Sequence, residues 1–269
     1  MAFRIGLAQS GYPADGDVLS QARNFMQRAG DEGCDLLVFP ENFMWPRKLS
    51  AAELRELGEP VDGTFVQGVA AAARDVGLWV VFTMNETNPA GGQPFNTAVA
   101  VDDAGAVRGA YRKCHLYDAL GVRESDRLSR GDGLAAPAPT PFCTLGLAVC
   151  YDLRFPELAR SAVLAGCDML VYPAAWHAGP CKVEQWKTLL AARAIENEVF
   201  VAGVCRSGRG FTGHSVVFDP MGRCLCEGAD GTAPDGEDAL LTCEIDLSVV
   251  ASTREAMPIL EHRRPELYR

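Results

Sequence analysis

The sequence predicts an α/β protein folded as a four-layer α-β-β-α sandwich, and three observations carry that expectation. Short β-branched runs alternate with longer amphipathic ones, which is the pattern of helices laid on sheets. The first half holds IGLAQ followed by CDLLVFPE, and the second half echoes it with LGLAVCYD followed by CDMLVYPAA, so the chain reads as two pseudo-symmetric β-α-β halves. Its 269 residues, 48% hydrophobic, suffice for one large core, a single domain over 1–269.

The elements follow in order. FRIGLAQ (3–9) is strand-like, and Val18, Leu19, Ala22, Phe25, Met26 and Ala29 then recur at helical spacing before the strand DLLVFPE (35–41). Ser50 with Glu53 forms a capping box that opens a further helix. LWVVFTMNE and FNTAVAVDD read as strands, and Asp103-Ala104-Gly105 turns the second into AVRGAYRK as a hairpin. The stretch from Cys114 to Pro141 has no sustained period and is rich in charge, Gly and Pro, so it reads as a long active-site loop. After GLAVC, Pro156 marks a helix start. A long helix is expected over 182–197, and EVFVAGVCR, HSVVFDP and ALLTCEID complete the strands. The tail over about 255–269 carries two prolines and large apolar side chains, and a partner subunit in a homodimer or higher homo-oligomer is one surface for it to lie against.

The formal charge of −10 and the lack of any Lys or Arg run leave no footprint for nucleic acid or an anionic membrane. A small-molecule partner is expected instead. MAFRIGLAQS lacks a charged region followed by a long apolar one, and no apolar window could span a bilayer; a cytoplasmic location is the expectation. The ten cysteines show no disulfide spacing, and runs such as Val204-Cys205 and Leu225-Cys226 suggest small hydrophobes packed in strands.

In the sandwich, Glu41 ends one inner strand and Cys150 ends a strand beside its counterpart, at the carboxyl edges where α/β proteins hold ligands. Cys150 lies where an apolar strand meets the polar turn Tyr-Asp-Leu-Arg. A buried strand-end cysteine is the plain alternative, and the polar turn argues against it. A thiol needs a base or a cation to react at neutral pH. Of four histidines only His115 and His177 approach a strand end. Glu41 is the better base, a carboxylate held by Pro40 at a strand end, where desolvation is expected to raise its pKa. Lys113 ends another strand-like run and, beside carboxylates, would stay protonated and stabilise an oxyanion. Alone, Glu41 would read as a turn residue and Lys113 as a solvated one.

FPE around Glu41, K-x-H-L-Y-D from Lys113 and C-Y-D-L-R-F-P-E at Cys150 together resemble the nitrilase, or carbon–nitrogen hydrolase, superfamily in order and spacing. The resemblance runs from FRIGLAQ to EHRRPELY. It implies a catalytic set of Glu41, Lys113 and Cys150 on an αββα sandwich, with Glu124 as a supporting glutamate orienting Lys113 and the substrate amide. The mechanism it implies has Glu41 deprotonate the thiol, Cys150 form a thioester, and Lys113 with the Tyr151 backbone N–H hold the oxyanion, without metal or organic cofactor. Similarity of the flanks to the ω-amidase and deaminated-glutathione amidase branch implies a small carboxamide carrying a carboxylate. Nitriles and carbamoylated amines are the alternatives.

A substrate carboxylate requires a cation, and Arg154 or Arg206 could supply it. Arg154 reads equally well as an ion-pair partner of Asp152 or Glu157. Trp176 and His177 follow the strand VYPAA and are expected to shape the pocket. The relatives' small residue and His-Trp are replaced by GPCKVEQW, with Cys181 just after Gly179-Pro180, a departure that bears on substrate. Gly208-Arg-Gly-Phe-Thr-Gly213 fits a dinucleotide fingerprint, but a strand-like run follows it where a helix is required, which weighs against a nicotinamide-dependent oxidoreductase. Cys224 and Cys226 lack the companions of a zinc site. A binding protein on a hydrolase fold is countered by the intact Glu41, Lys113 and Cys150 set. Asn85-Glu86-Thr87 matches a glycosylation acceptor with no secretion signal to use it.

Overall fold

The two sequence echoes fold onto equivalent strands of two six-stranded sheets. A computed structural model describes residues 1–232 and 238–267. In chain order its elements are β1 (Ala2–Gln9), α1 (Val18–Asp31), β2 (Leu36–Val38), α2 (Ala51–Leu57), α3 (Thr64–Val76), β3 (Trp79–Glu86), β4 (Phe95–Val101) and β5 (Val107–Arg112). There follow β6 (Asp118–Ala119), β7 (Val122–Arg123), β8 (Ala138–Pro139), β9 (Thr144–Leu147), α4 (Pro156–Leu164), β10 (Met169–Ala174) and α5 (Lys182–Asn197). The chain continues with β11 (Phe200–Cys205), β12 (Val216–Phe218), β13 (Cys224–Glu227), β14 (Ala239–Asp246) and α6 (Ser248–Ala256).

One sheet runs β14-β1-β2-β3-β4-β5 and the other, read from its far edge, β8-β9-β10-β11-β12-β13. In each, three strands are parallel and the flanking pairings antiparallel. The halves therefore match strand for strand. In the echo Ser10, just past β1, holds the place that Cys150 holds past β9.

Side-chain alternation explains the layering. Leu36 and Val38 face inward and join a core with Leu145, Leu147 and Val171 of the other sheet. Leu37 between them faces outward and packs with Phe25, Met26 and Val69 of α1 and α3. On the second sheet α5 presses close to β11: a Cβ on Gly203 would stand 2.5 Å from both Leu190 and Trp186, so only glycine fits that approach.

The predicted elements are present, with differences that have physical reasons. β2 stops at Val38: the Phe39 N–H still donates to Val81 of β3, but Pro40 has no N–H to give and Glu41 donates to Ala174 of the other sheet. The capping box at Ser50 forms, Ser50 accepting from the Glu53 N–H and Glu53 from the Ser50 N–H. The 114–141 stretch is more structured than a bare loop, holding the hairpin of β6 and β7 and a 3-10 turn over Glu124–Asp126. Leu225 is exposed on the edge strand β13 rather than packed, while Cys226 is half-buried against the core and Cys205 is buried as expected. Asn85 is buried, accepting from Trp45 Nε1 at 2.9 Å and donating to the Leu54 carbonyl at 3.1 Å, so the glycosylation motif is inaccessible. In the tail, residues 268 and 269 lie outside the described residues. No described helix is long and apolar enough to cross a membrane.

Candidate active site

Glu41 is fixed by groups from both sheets. Its N–H donates to the Ala174 carbonyl at 3.4 Å and its carboxylate accepts from the Ala175 N–H at 2.8 Å, so it is stitched to the end of β10. The other oxygen accepts from Asn96 Nδ2 at 2.9 Å and Lys113 Nζ at 2.8 Å. Lys113 extends β5, its N–H bonded to the Asn96 carbonyl at 2.8 Å. Its ammonium also donates to both oxygens of Glu124 at 3.0 and 2.8 Å. The Glu124 carboxylate accepts in addition from the Tyr117 N–H at 2.6 Å. The side chains of Lys113 and Glu124 are 2% and 16% exposed, so the cluster is nearly dry.

Cys150 opens a 3-10 segment, Cys150–Arg154, at a φ of 47°. A non-glycine residue in the left-handed region is strained, and such strain collects at functional sites. Tyr151 is in the first turn of that segment, where an N–H finds no acceptor within the helix. Pro156 then begins α4 as its N1 residue.

The charges settle against one another. Burial pushes the Glu41 carboxyl up, as the sequence reading expected, but the Lys113 ammonium and the hydrogen bonds from Lys113, the Cys150 thiol and the Ala175 N–H outweigh it. The carboxyl ends below its usual value, a correction to that expectation. Burial opposes the Lys113 ammonium too, yet Glu124 and Glu41 hold its pKa well above the ordinary lysine value. Burial and then the Glu41 charge push the Cys150 thiol well up despite Lys113. The resting site is a neutral thiol beside an ionised carboxylate and an ammonium.

These groups form the floor of a cavity of about 300 Å³. Tyr151, Arg154, Trp176 and His177 line it, as do Tyr12, Trp45, Tyr117 and Phe211. Trp176 is locked by its indole N–H, which donates to the Lys182 carbonyl at 2.9 Å, and the exposed His177 stacks on Phe211 at 5.7 Å. Arg154 makes no ion pair with Asp152 or Glu157; it donates to Gln185 Oε1 at 2.8 Å and lies over the Trp176 ring at 4.7 Å. Arg206, the other cation expected to meet a substrate carboxylate, is not among the residues that line the cavity. It is fully buried, donating to the carbonyls of Glu41 at 3.2 Å and Asn42 at 2.8 Å, with its guanidinium 4.2 Å from the centre of the Tyr12 ring.

Sequence reasoning missed several residues here. Asn96 is an ordinary strand residue until β4 places it on Glu41. Lys48, Arg127, Lys182 and Arg209 line the cavity and are scattered along the chain. Lys182 had a signal, the departure GPCKVEQW. Its ammonium lies 5.7 Å from the ring centres of both Tyr117 and Trp176, and burial followed by Arg154 holds it below the usual lysine range. Arg209, Gly210 and Phe211 of the glycine motif form cavity wall, and a strand, not a helix, follows. No group of three or more His, Cys, Asp or Glu suited to a metal occurs among the described residues.

The chain is similar to known proteins over nearly its whole length. A deaminated glutathione amidase of Bos taurus is 34% identical over 259 residues, covering 90% of this chain and 76% of the relative. An omega-amidase of Homo sapiens is 31% identical over 280 residues, covering 99% of this chain and 97% of that one. A solved Saccharomyces cerevisiae structure, described as a member of branch 10 of the nitrilase superfamily, superposes with a TM-score of 0.85 at 28% identity, over 98% of this chain and 97% of that chain. The family model described as carbon-nitrogen hydrolase matches residues 4–255, and the chain belongs to that family of the nitrilase superfamily.

Proposed function

We propose that the protein is a thiol-dependent amidase that converts a small carboxamide, an ω-amide of a dicarboxylic acid, to the carboxylic acid and ammonia. The observation that carries this reading is the dry cluster in which Lys113 bridges Glu41 and Glu124 beside the Cys150 thiol on the cavity floor. The names of the two amidase relatives support it.

In the proposed reaction Glu41 takes the thiol proton as Cys150 Sγ bonds to the amide carbon. The carbonyl oxygen becomes an oxyanion held by Lys113 and the Tyr151 N–H, donors that act strongly where water is excluded. All three Lys113 N–H groups are engaged at rest, one by Glu41 and two by Glu124. The oxyanion therefore replaces one arm of the Glu124 contact. The tetrahedral species collapses with cleavage of the C–N bond, Glu41 passes its proton to the nitrogen, and ammonia leaves a thioester. Water enters, Glu41 takes its proton, and hydroxide adds to the thioester carbon. Cleavage of the C–S bond releases the acid, and the thiolate recovers its proton from Glu41.

Charge in the cavity supports an anionic substrate. The chain carries a net −10, yet the lining holds Lys48, Lys113, Arg127, Arg154, Lys182 and Arg209 against Glu41 and Glu124. Such a field concentrates anions at the mouth, and Arg154 with Lys182, both against the Trp176 ring, is the pair we assign to read a carboxylate. The test is ammonia release by the wild type and Cys150→Ala over ω-amides, simple amides, nitriles and carbamoylated amines. Release from ω-amides that vanishes in the variant supports the reading. Release confined to nitriles or carbamoylated amines would replace the substrate class.

We infer also that the protein acts in the cytoplasm as a homodimer joined partly through the tail, about 255–269. All ten cysteines are free, which suits a reducing compartment. Exposed Met257 and Leu267, the latter 63% exposed, offer apolar surface to a second copy. Sedimentation velocity would give a dimer mass, and a monomer mass would overturn the dimer.

A further inference from the structure

One buried carboxylate joins the turn that carries Cys150 to the strand end that carries Lys113. Asp152 is fully buried and does not line the cavity. Its Oδ2 accepts from the Val149 N–H at 2.9 Å and the Tyr111 hydroxyl at 3.0 Å. Its Oδ1 accepts from the His115 N–H at 3.1 Å and lies 2.8 Å from His115 Nδ1. The Tyr111 oxygen in turn accepts the Cys114 N–H at 3.1 Å. The His115 ring is clamped from the other side by Phe155, with centroids 3.6 Å apart.

The placement of these partners is what matters. Val149 immediately precedes Cys150, while Cys114 and His115 immediately follow Lys113. A carboxylate taken out of water is costly unless its lone pairs are filled. Here the ring nitrogen, two backbone N–H groups and a phenol fill them, leaving nothing for a substrate. Arg154, two residues on, takes no part.

We propose that Asp152 is a positioning residue that sets the separation and orientation of the Cys150 thiol relative to the Lys113 ammonium. The inference rests on the reading of Cys150 as nucleophile and Lys113 as oxyanion donor. The carboxylate fixes the backbone on both sides of the reaction centre, so the strained φ at Cys150 is held without any contact to the reacting atoms.

The test is steady-state kinetics of Asp152→Asn on the amide that the wild type turns over, with thermal unfolding in parallel. Asparagine keeps the shape but turns one acceptor into a donor facing donors. The expected result is a fall in kcat of about 100-fold, the scale of a misplaced reacting group, with KM changed less than threefold. Tyr111→Phe and His115→Phe each delete one donor and serve if Asp152→Asn does not fold; each is expected to lower kcat about tenfold at constant KM. Folded variants with wild-type kcat, or loss expressed only in KM or Tm, would overturn the inference. Cys150→Ala run alongside separates the two claims: if it stays active, the reading of the site fails, whereas an inactive Cys150→Ala beside a fully active, folded Asp152→Asn refutes only the positioning role.

Discussion

The Lys113 ammonium stands 2.8 Å from Glu41, with both side chains almost sealed from water at 2% and 4% exposure. A buried pair of this kind is a poor source of stability but a costly thing to break. Lys113→Met would leave Glu41 and Glu124 facing each other without a cation. Urea unfolding is expected to show a loss of about 3–5 kcal/mol, and kcat to fall at least ~100-fold through the lost oxyanion donor. Adding Glu124→Gln to Lys113→Met should restore part of the stability and none of the rate.

The pH profile follows from the same cluster. Because the Glu41 carboxyl lies below its ordinary value, the base stays ionised through mild acid, and kcat/KM is expected to fall only below about pH 4.3, the free glutamate value. Because the Cys150 thiol is pushed up, kcat/KM should not climb through about pH 8.5 as it would for a free thiol. Stability has the matching signs. The depressed Glu41 contributes stability above its unfolded pKa and loses it as pH falls through the folded one, whereas the raised Lys113 contributes below its unfolded pKa and loses it as pH rises through the folded one. Both contributions are present between about pH 4.3 and pH 10.4. A kcat/KM limb near neutrality would contradict this.

Arg206 acts on Glu41 through the backbone. Arg206→Met would orphan the buried carbonyl of Glu41, at about 1–3 kcal/mol, and free the part-buried carbonyl of Asn42 at a smaller cost. The expected kinetic change is a lower kcat with KM unaltered, measured on the best amide; a rise in KM alone would return Arg206 to substrate binding.

Legibility in the sequence followed the range of the interactions. The echo of IGLAQ and CDLLVFPE in the second half made the matched sheets readable because it recurs within each half. Cys150 and Glu41 could be picked out as candidates because each ends an apolar run, and Lys113 because it ends a strand-like one, a local signal. The direction of the Glu41 pKa was not, since it depends on Lys113, 72 positions away. The partners of Arg206 were out of reach for a similar reason: its side chain spans to residues 164 and 165 positions distant, and nothing near it in the chain shows where it points.

The cations of the wall make a separable prediction about substrate. Arg154→Gln and Lys182→Met are each expected to raise KM for a carboxylate-bearing amide about tenfold or more, the scale of one charge-assisted hydrogen bond. Turnover of a simple uncharged amide should be nearly unchanged. Equal losses on both substrates would show that the pair shapes the site instead of reading charge.

The central claim, that Cys150 carries the acyl group, is tested most directly by quenching the enzyme with acid during turnover of an ω-amide and weighing the intact protein and its peptides. A transient adduct equal to the substrate acyl group is expected at Cys150, disappearing as substrate is exhausted and never forming in Cys150→Ala. An adduct on another cysteine, or turnover in Cys150→Ala, would contradict it.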